Sequence, residues 1–143
     1  MFIGEFSHSV DAKGRVAVPA KFRNKISGGA IITRGLDKCL FVFTKKDWEK
    51  LAGKLIELPI SQSNSRAFAR LMLSGASDVD IDSQGRILIP DYLRKYAGIS
   101  KAVTVIGVYS RVEVWDDKVW EAYKRKTEGA SDEIAEKMAD LGI

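Results

Sequence analysis

The 143-residue sequence predicts an α+β fold that is mainly β, assembled from two pseudo-symmetric ββαββα units with helices on the outside. Three observations predict it. The stretch "DAKGRVAVPAKFR" at residue 11 returns as "DSQGRILIPDYLR" at residue 82: Asp, two variable residues, Gly-Arg, three apolar residues, Pro, and Arg four positions on. The match also extends outward. Gly4 falls on Gly75, Val10 on Ile81, Phe22 on Leu93 and, after a one-residue insertion, Gly35 on Gly107 and Trp48 on Trp120. Residues 1–57 and 72–126 are therefore two copies of one supersecondary unit. Finally, both copies set β-branched runs between Asp, Gly and Pro, which reads as strands joined by tight turns.

Each element follows in order. Residues 2–10 alternate loosely, as a strand does. "DAKG" and "DSQG" are turns, in which Asp bonds the backbone ahead and Gly accepts positive φ. "RVAV" and "RILI" return as second strands of hairpins, and Pro19 and Pro90 end them at a first helical position. Short helices then turn Phe22 and Ile26, or Leu93 and Ala97, inward, and Gly98 stops the second helix with Ile99 behind it. A second hairpin comes next, "AIITRGLDKCLFVF" in one copy and "AVTVIGVYSRVEVW" in the other. Thr44 and Asp47 have capping-box spacing before a helix with Trp48, Leu51 and Leu55 on one side. Asp116 caps the corresponding helix of Trp120 and Tyr123.

Between the copies, "SQSNSRAFARLML" reads as a serine-capped helix with Phe68, Leu71 and Met72 inward. From Ser131 the chain is acidic, with Ile134, Met138 and Leu141 at helical spacing, a stripe suited to the chain's own core or to a neighbour. The predicted division is a first repeat at 5–47 with its helix to about 57, a connecting helix at 58–75, a second repeat at 76–119 and a helical tail at 120–143.

Composition narrows the function. At 45% hydrophobic and 29% charged the chain is globular rather than disordered. No apolar run approaches the ~20 residues of a membrane span, and "MFIGEF" lacks the basic start and apolar core of a signal peptide. Cys39 is the one cysteine and reads as a small buried hydrophobe; Trp48, Trp115 and Trp120 read as core or interface. A cytoplasmic, membrane-free protein is expected. The net charge of +4 is uneven, with 13 Lys/Arg against 6 Asp/Glu in residues 1–71 and 10 against 13 in residues 72–143. A basic half suits a polyanionic partner.

Turn formation explains Asp11, Gly14, Asp82 and Gly85 as structural residues, but explains Arg15 and Arg86 less well. Pairing with the turn aspartate contributes only ~0–1 kcal/mol when exposed, a weak reason to select arginine. A two-stranded β-ribbon fits the DNA major groove, however, and the guanidinium fork matches O6 and N7 of guanine. Lys13 on the turn, with Lys21, Arg23 and Lys25 behind it, suits phosphates. Copy two is thinner: Gln84 replaces the lysine, Asp91 follows Pro90, and Asp78 and Asp80 lie nearby. The first hairpin is thus expected to carry more phosphate attraction, with Arg86 a secondary contact. Ser7, His8, Ser9 and Asp11 lie along one strand, whose neighbours point to opposite faces. With no Walker lysine, no GxGxxG after a strand and no His/Cys cluster, no catalytic residue, metal, cofactor or small-molecule substrate is expected.

Together "F-x-G-x-F", "H-x-V-D-A-K-G-R-V-A-V-P-A-K-F-R", "R-G-L-D-K-C-L", "S-G-A", "D-x-x-G-R-I-L-I-P" and "E-V-W" resemble the MraZ family of bacterial transcription regulators over essentially the whole chain. The resemblance implies two fused SpoVT/AbrB-like domains forming a swapped-hairpin barrel with interlocked copies. It implies binding to double-stranded promoter DNA, at tandem repeats ahead of the division and cell-wall gene cluster, with control of the protein's own operon. It also implies a ring-shaped homo-oligomer and association with the nucleoid. The family's "DxxxR" falls on Asp11–Arg15 and Asp82–Arg86, which makes Arg15 and Arg86 the implied DNA contacts. The competing reading is an oligomeric interaction protein whose hairpins serve assembly only, with the arginines bonding across subunits. Steep salt dependence and dependence on the target sequence separate the two.

Overall fold

In the computed structural model, which describes all of residues 1–143, the strands are β1 (Phe2–Ser9), β2 (Arg15–Ala17), β3 (Ala30–Arg34), β4 (Leu40–Thr44), β5 (Ser77–Val79), β6 (Arg86–Leu88), β7 (Ala102–Tyr109) and β8 (Val112–Asp116). The helices are α1 (Ala20–Arg23), α2 (Lys45–Ile56), α3 (Ser63–Ser74), α4 (Asp91–Tyr96), α5 (Asp117–Gly129) and α6 (Ser131–Lys137). This is the ββαββα order twice over, α+β and mainly β, with α3 between the copies and α6 behind them.

The second hairpins form as expected, β3 with β4 and β7 with β8. The first hairpins do not. β1 runs antiparallel to β7 of the other copy from Phe2↔Tyr109 to Ser9↔Ala102, β5 pairs with β3, and β2 pairs with β6. A single Val10↔Val16 bridge is all that remains of the first copy's hairpin. The reason is length. Pro19 and Pro90, which have no N–H to give a ladder, leave β2 and β6 three residues each, while β1 meets a full-length partner in β7.

β4 and β8 join the halves into one six-stranded sheet, β1-β7-β8-β4-β3-β5, and β2-β6 forms a separate ribbon. The ladder is open, with β1 and β5 as edges, so no closed barrel forms. Equivalent residues meet at Val16↔Ile87 and at Phe41↔Glu113, which places the pseudo-two-fold axis through both pairs.

Alternation sorts the sheet's faces. Ile32, Leu40, Val42, Val103, Val105 and Val114 pack with Val16, Phe22, Ile87 and Leu93 beneath the ribbon and α1/α4. Phe41, Phe43, Ile106 and Trp115 face the other way, against Leu55 and Met72 with Trp48 and Trp120 beside them. The ribbon and the longer helices thus lie on opposite faces.

Helix ends follow local chemistry. Thr44 accepts from the Asp47 N–H at 3.1 Å, and the Asp116 carboxylate accepts from Lys118 and Val119. Gly98, at φ 64°, ends α4 in a Schellman turn, the Ile99 N–H reaching the Arg94 carbonyl at 2.9 Å. Pro19 and Pro90 stand at the N-cap rather than the first helical position, since their ψ values of 136° and 145° keep them extended.

Two expectations for α3 fail. Its N-cap is Gln62, which makes no side-chain cap, and Phe68 is 37% exposed. Thr33 Oγ1 donates to the Met72 carbonyl at 2.6 Å and Arg34 to that of Leu71 at 3.0 Å, so the end of α3 is drawn to β3 and Met72 takes the buried place. The tail stripe does not reach the core, because α6 follows α5 after Ala130 alone; Ile134 and Leu141 stay exposed. Cys39 is buried, its Sγ 3.1 Å from the Leu36 carbonyl, and burial pushes its thiol pKa up. No helix is long and apolar enough to cross a membrane.

Candidate nucleic-acid interface

The two turns are built alike, from the aspartate outward. Gly14 N–H donates to the Asp11 carbonyl at 3.0 Å and Gly85 N–H to that of Asp82 at 3.0 Å, both glycines at positive φ. Asp11 Oδ1 accepts from the N–H groups of Lys13 (3.0 Å) and Arg15 (2.9 Å), and its Oδ2 accepts from Arg15 Nε at 2.7 Å. Asp82 repeats the pattern with Gln84 (2.9 Å), Arg86 (2.9 Å) and Arg86 Nε (2.9 Å). The Arg15 N–H is the chief reason the Asp11 carboxyl is held down to about 2; the Arg86 N–H lowers Asp82 in the same way.

Strand exchange then brings the turns together. Val16 and Ile87 point inward from the ribbon, so Arg15, Ala17, Arg86 and Leu88 share its outer face. Arg86 Nη1 also lies 3.7 Å from Asp11, giving a line of alternating charge: Arg15, Asp11, Arg86, Asp82. Each aspartate takes the Nε side of its arginine, and the Nη ends make no hydrogen bond. The arginine side chains are 33% and 25% exposed, neither sealed nor free to swing. Because the four charges cancel, long-range attraction to an anion has to come from the residues around them.

Those residues are exchanged as well. Arg23 donates from Nε to the Val18 carbonyl at 2.9 Å and spreads its guanidinium where a Cβ on Gly85 would stand. Arg94, its equivalent, occupies that place over Gly14. The sequence placed Arg23 behind the first turn; it lies over the second. Lys21 and Lys25, on the same short segment, are exposed, as is Lys13, and none of the three is within 4 Å of a carboxylate. Asp91 pairs within its own helix, 3.5 Å from Arg94 and 3.2 Å from Lys95, and offsets one of those two charges. Sequence reading passed over Arg94, which lies over the first turn, and the apolar Leu88, 52% exposed on the ribbon's outer face. The signal for Arg94 was present, since Pro and an arginine four positions on occur in both copies.

His8 is half-buried; burial, and then the Arg23 charge, lower its pKa, and no group of His, Cys, Asp or Glu is arranged to hold a metal ion. Fold and site together define a class: a tandem-repeat protein whose fused copies trade strands and present a twinned Asp–Arg ribbon on one face. Comparison with known proteins gives the family. A model described as "MraZ protein, putative antitoxin-like" matches residues 1–71 and again 72–142, and the chain belongs to the MraZ family. It is 52% identical over 143 residues to a protein of Acetivibrio thermocellus named "Transcriptional regulator MraZ". Proteins of the same name from Natranaerobius thermophilus (48%) and Alkaliphilus oremlandii (50%) are similar over the same length, and each alignment covers 100% of both chains.

Proposed function

We propose that this chain is a sequence-specific DNA-binding transcriptional regulator that reads duplex DNA with the β2-β6 ribbon. The observation that carries the reading is the pair of Nε-anchored arginines on a shared outer face, whose Nη ends make no hydrogen bond within the chain, Arg86 Nη1 having only a 3.7 Å ion pair with Asp11. A bidentate guanine contact uses that end of the fork and contributes ~1–3 kcal/mol of base discrimination. Arg15 and Arg86 are base readers in this scheme, with Asp11 and Asp82 fixing their geometry. Lys13, Lys21 and Lys25 meet phosphates, and Arg23 does so from its place over the second turn. The names of the relatives support regulation of transcription as the outcome.

The β1/β7, β3/β5 and β2/β6 exchanges support the swapped-hairpin reading, with 5–47 and 76–119 as the reading units and the remaining helices serving assembly. One ribbon neutralises few phosphates, and affinity rises with that number. We therefore place the chain in a ring-shaped homo-oligomer on the nucleoid. Its copies engage tandem repeats at the promoter of the division and cell-wall gene cluster, so that avidity supplies what one ribbon lacks and the protein controls its own operon. An assembly-only role fits less well, because both arginines find their aspartates inside one chain.

The test is a titration of the protein with a duplex carrying the repeats upstream of its own gene, and with a scrambled duplex, across a salt series. Preference for the repeats by tenfold or more, with affinity falling steeply as salt rises, supports the reading. Equal affinity for both duplexes overturns it.

A further inference from the structure

On the face opposite the ribbon, a groove of about 400 Å³ opens between α2, α3 and the β7–β8 turn. Phe43, Leu51 and the exposed Phe68 line it, and Lys50, Lys54 and Arg111 stand at its edge with one carboxylate, Asp47. Lys50 is 3.9 Å from Asp47, Arg111 is held by Glu113 at 2.9 Å, and Lys54 has no carboxylate within 4 Å. We propose that this groove receives the C-terminal tail, residues 131–141, of a second copy of this chain.

Three observations choose that occupant. Ile134, Met138 and Leu141 stand at i, i+4 and i+7, the spacing by which an amphipathic helix anchors in an apolar groove. Charge is complementary: residues 131–143 carry four Asp/Glu against one Lys, whereas residues 45–74 carry six Lys/Arg against three Asp/Glu. Linker length then excludes the tail's own sheet. α3 folds back onto β3 after a six-residue link at 57–62, while α6 has only Ala130 between it and α5 and leaves Ile134 and Leu141 exposed with Met138 half-buried.

Groove and tail are different surfaces, and each chain has one of each. Such a head-to-tail contact repeats from copy to copy and closes into a ring when the rotation allows. The proposal rests on the ring reading and supplies its joint, while the ribbon on the other face of the sheet stays open for DNA.

The test is the native mass of the full chain and of two variants: a tail variant, Ile134→Asp with Met138→Asp, at an exposed and a half-buried position, and a groove variant, Phe68→Asp, at an exposed one. Wild type is expected as a multi-chain assembly and each variant as single chains. Mixing the variants, one with an intact tail and the other with an intact groove, is expected to give a species of two chains and no larger one. Lys50→Glu with Lys54→Glu is expected to weaken assembly by tenfold or more, and adding Glu133→Lys with Glu136→Lys to restore it. A tail variant that keeps the wild-type mass, or a mixture that stays as single chains, overturns tail docking while the ring reading stands. A wild type that is itself single-chain overturns the ring reading and the docking with it.

Discussion

Asp11 and Asp82 accept the same three hydrogen bonds at distances that agree within 0.2 Å, yet the turns they organise carry different side chains. Lys13 stands where Gln84 stands, Lys21 where Tyr92 does, and Lys25 where Tyr96 does. Along the chain, residues 5–26 hold five Lys/Arg against two Asp/Glu, and residues 76–97 hold three against four. Strand exchange softens that contrast. It carries α1, with Arg23, to the second turn and α4, with Arg94, to the first. Cationic character is thus spread along one ribbon, although sequence order assigns it to one repeat. The geometry is duplicated, and the charge is shared by crossing over.

The ribbon's centre offers the largest effect. Ile87→Ala removes a buried side chain at the pseudo-axis and is expected to cost ~2–5 kcal/mol in a urea melt, with Val16→Ala costing less. If both were silent, the ribbon would not be part of the folded core.

The glycines separate exchanged from unexchanged packing. Gly14→Ala and Gly85→Ala place a Cβ at φ +89° and +77°, a backbone cost of ~1–2 kcal/mol each, and also against a guanidinium. Adding Arg94→Ala should relieve part of the Gly14→Ala cost, and Arg23→Ala part of the Gly85→Ala cost. The opposite combinations should add without relief. Relief in the opposite combinations would place each arginine over its own copy's turn.

Smaller still is the charge on the turns. Gln84→Lys is expected to steepen the salt dependence of DNA binding by ~1 phosphate contact, and Lys13→Gln to flatten it by ~1, at either end of the ribbon alike. Unequal slopes would show that one turn dominates.

The gentlest probe is pH. Asp11 titrates at about 2 when folded, against ~3.9 unfolded, and Asp82 is lowered in the same direction. Their contribution to stability is present above about 4 and lost as pH falls toward 2, because the unfolded chain takes up protons first. Carboxyl NMR titration should find both aspartates below the ~3.9 of a free aspartate. His8 has no counterpart, since Val79 holds its place in copy two. Its lowered pKa means the part of stability tied to the neutral imidazole is full above ~6.5 and declines below it, a step that His8→Val should remove.

Local chemistry made most of this legible in the sequence. The repeat, the aspartate–glycine turns, the second hairpins and the caps at Thr44 and Asp116 all rest on residues close together in the chain. The exchange did not show in the local pattern and was implied by the resemblance alone, because a turn of this kind looks the same whether the next strand pairs with its own copy or the other. The hint lay in Pro19 and Pro90, which leave strands too short to match β1. Phe68 was misplaced for a similar reason: Thr33 and Arg34, distant in sequence, decide which turn of α3 meets the sheet.

The central claim is that two turns from different copies act as one reading surface. It is tested most directly by measuring the affinity of Arg15→Ala, Arg86→Ala and the double variant for repeat and scrambled duplexes at fixed salt. Each single change is expected to weaken repeat binding by ~10-fold or more while barely altering scrambled binding, in keeping with ~1–3 kcal/mol per guanidinium. Unchanged discrimination in the double variant would contradict the account.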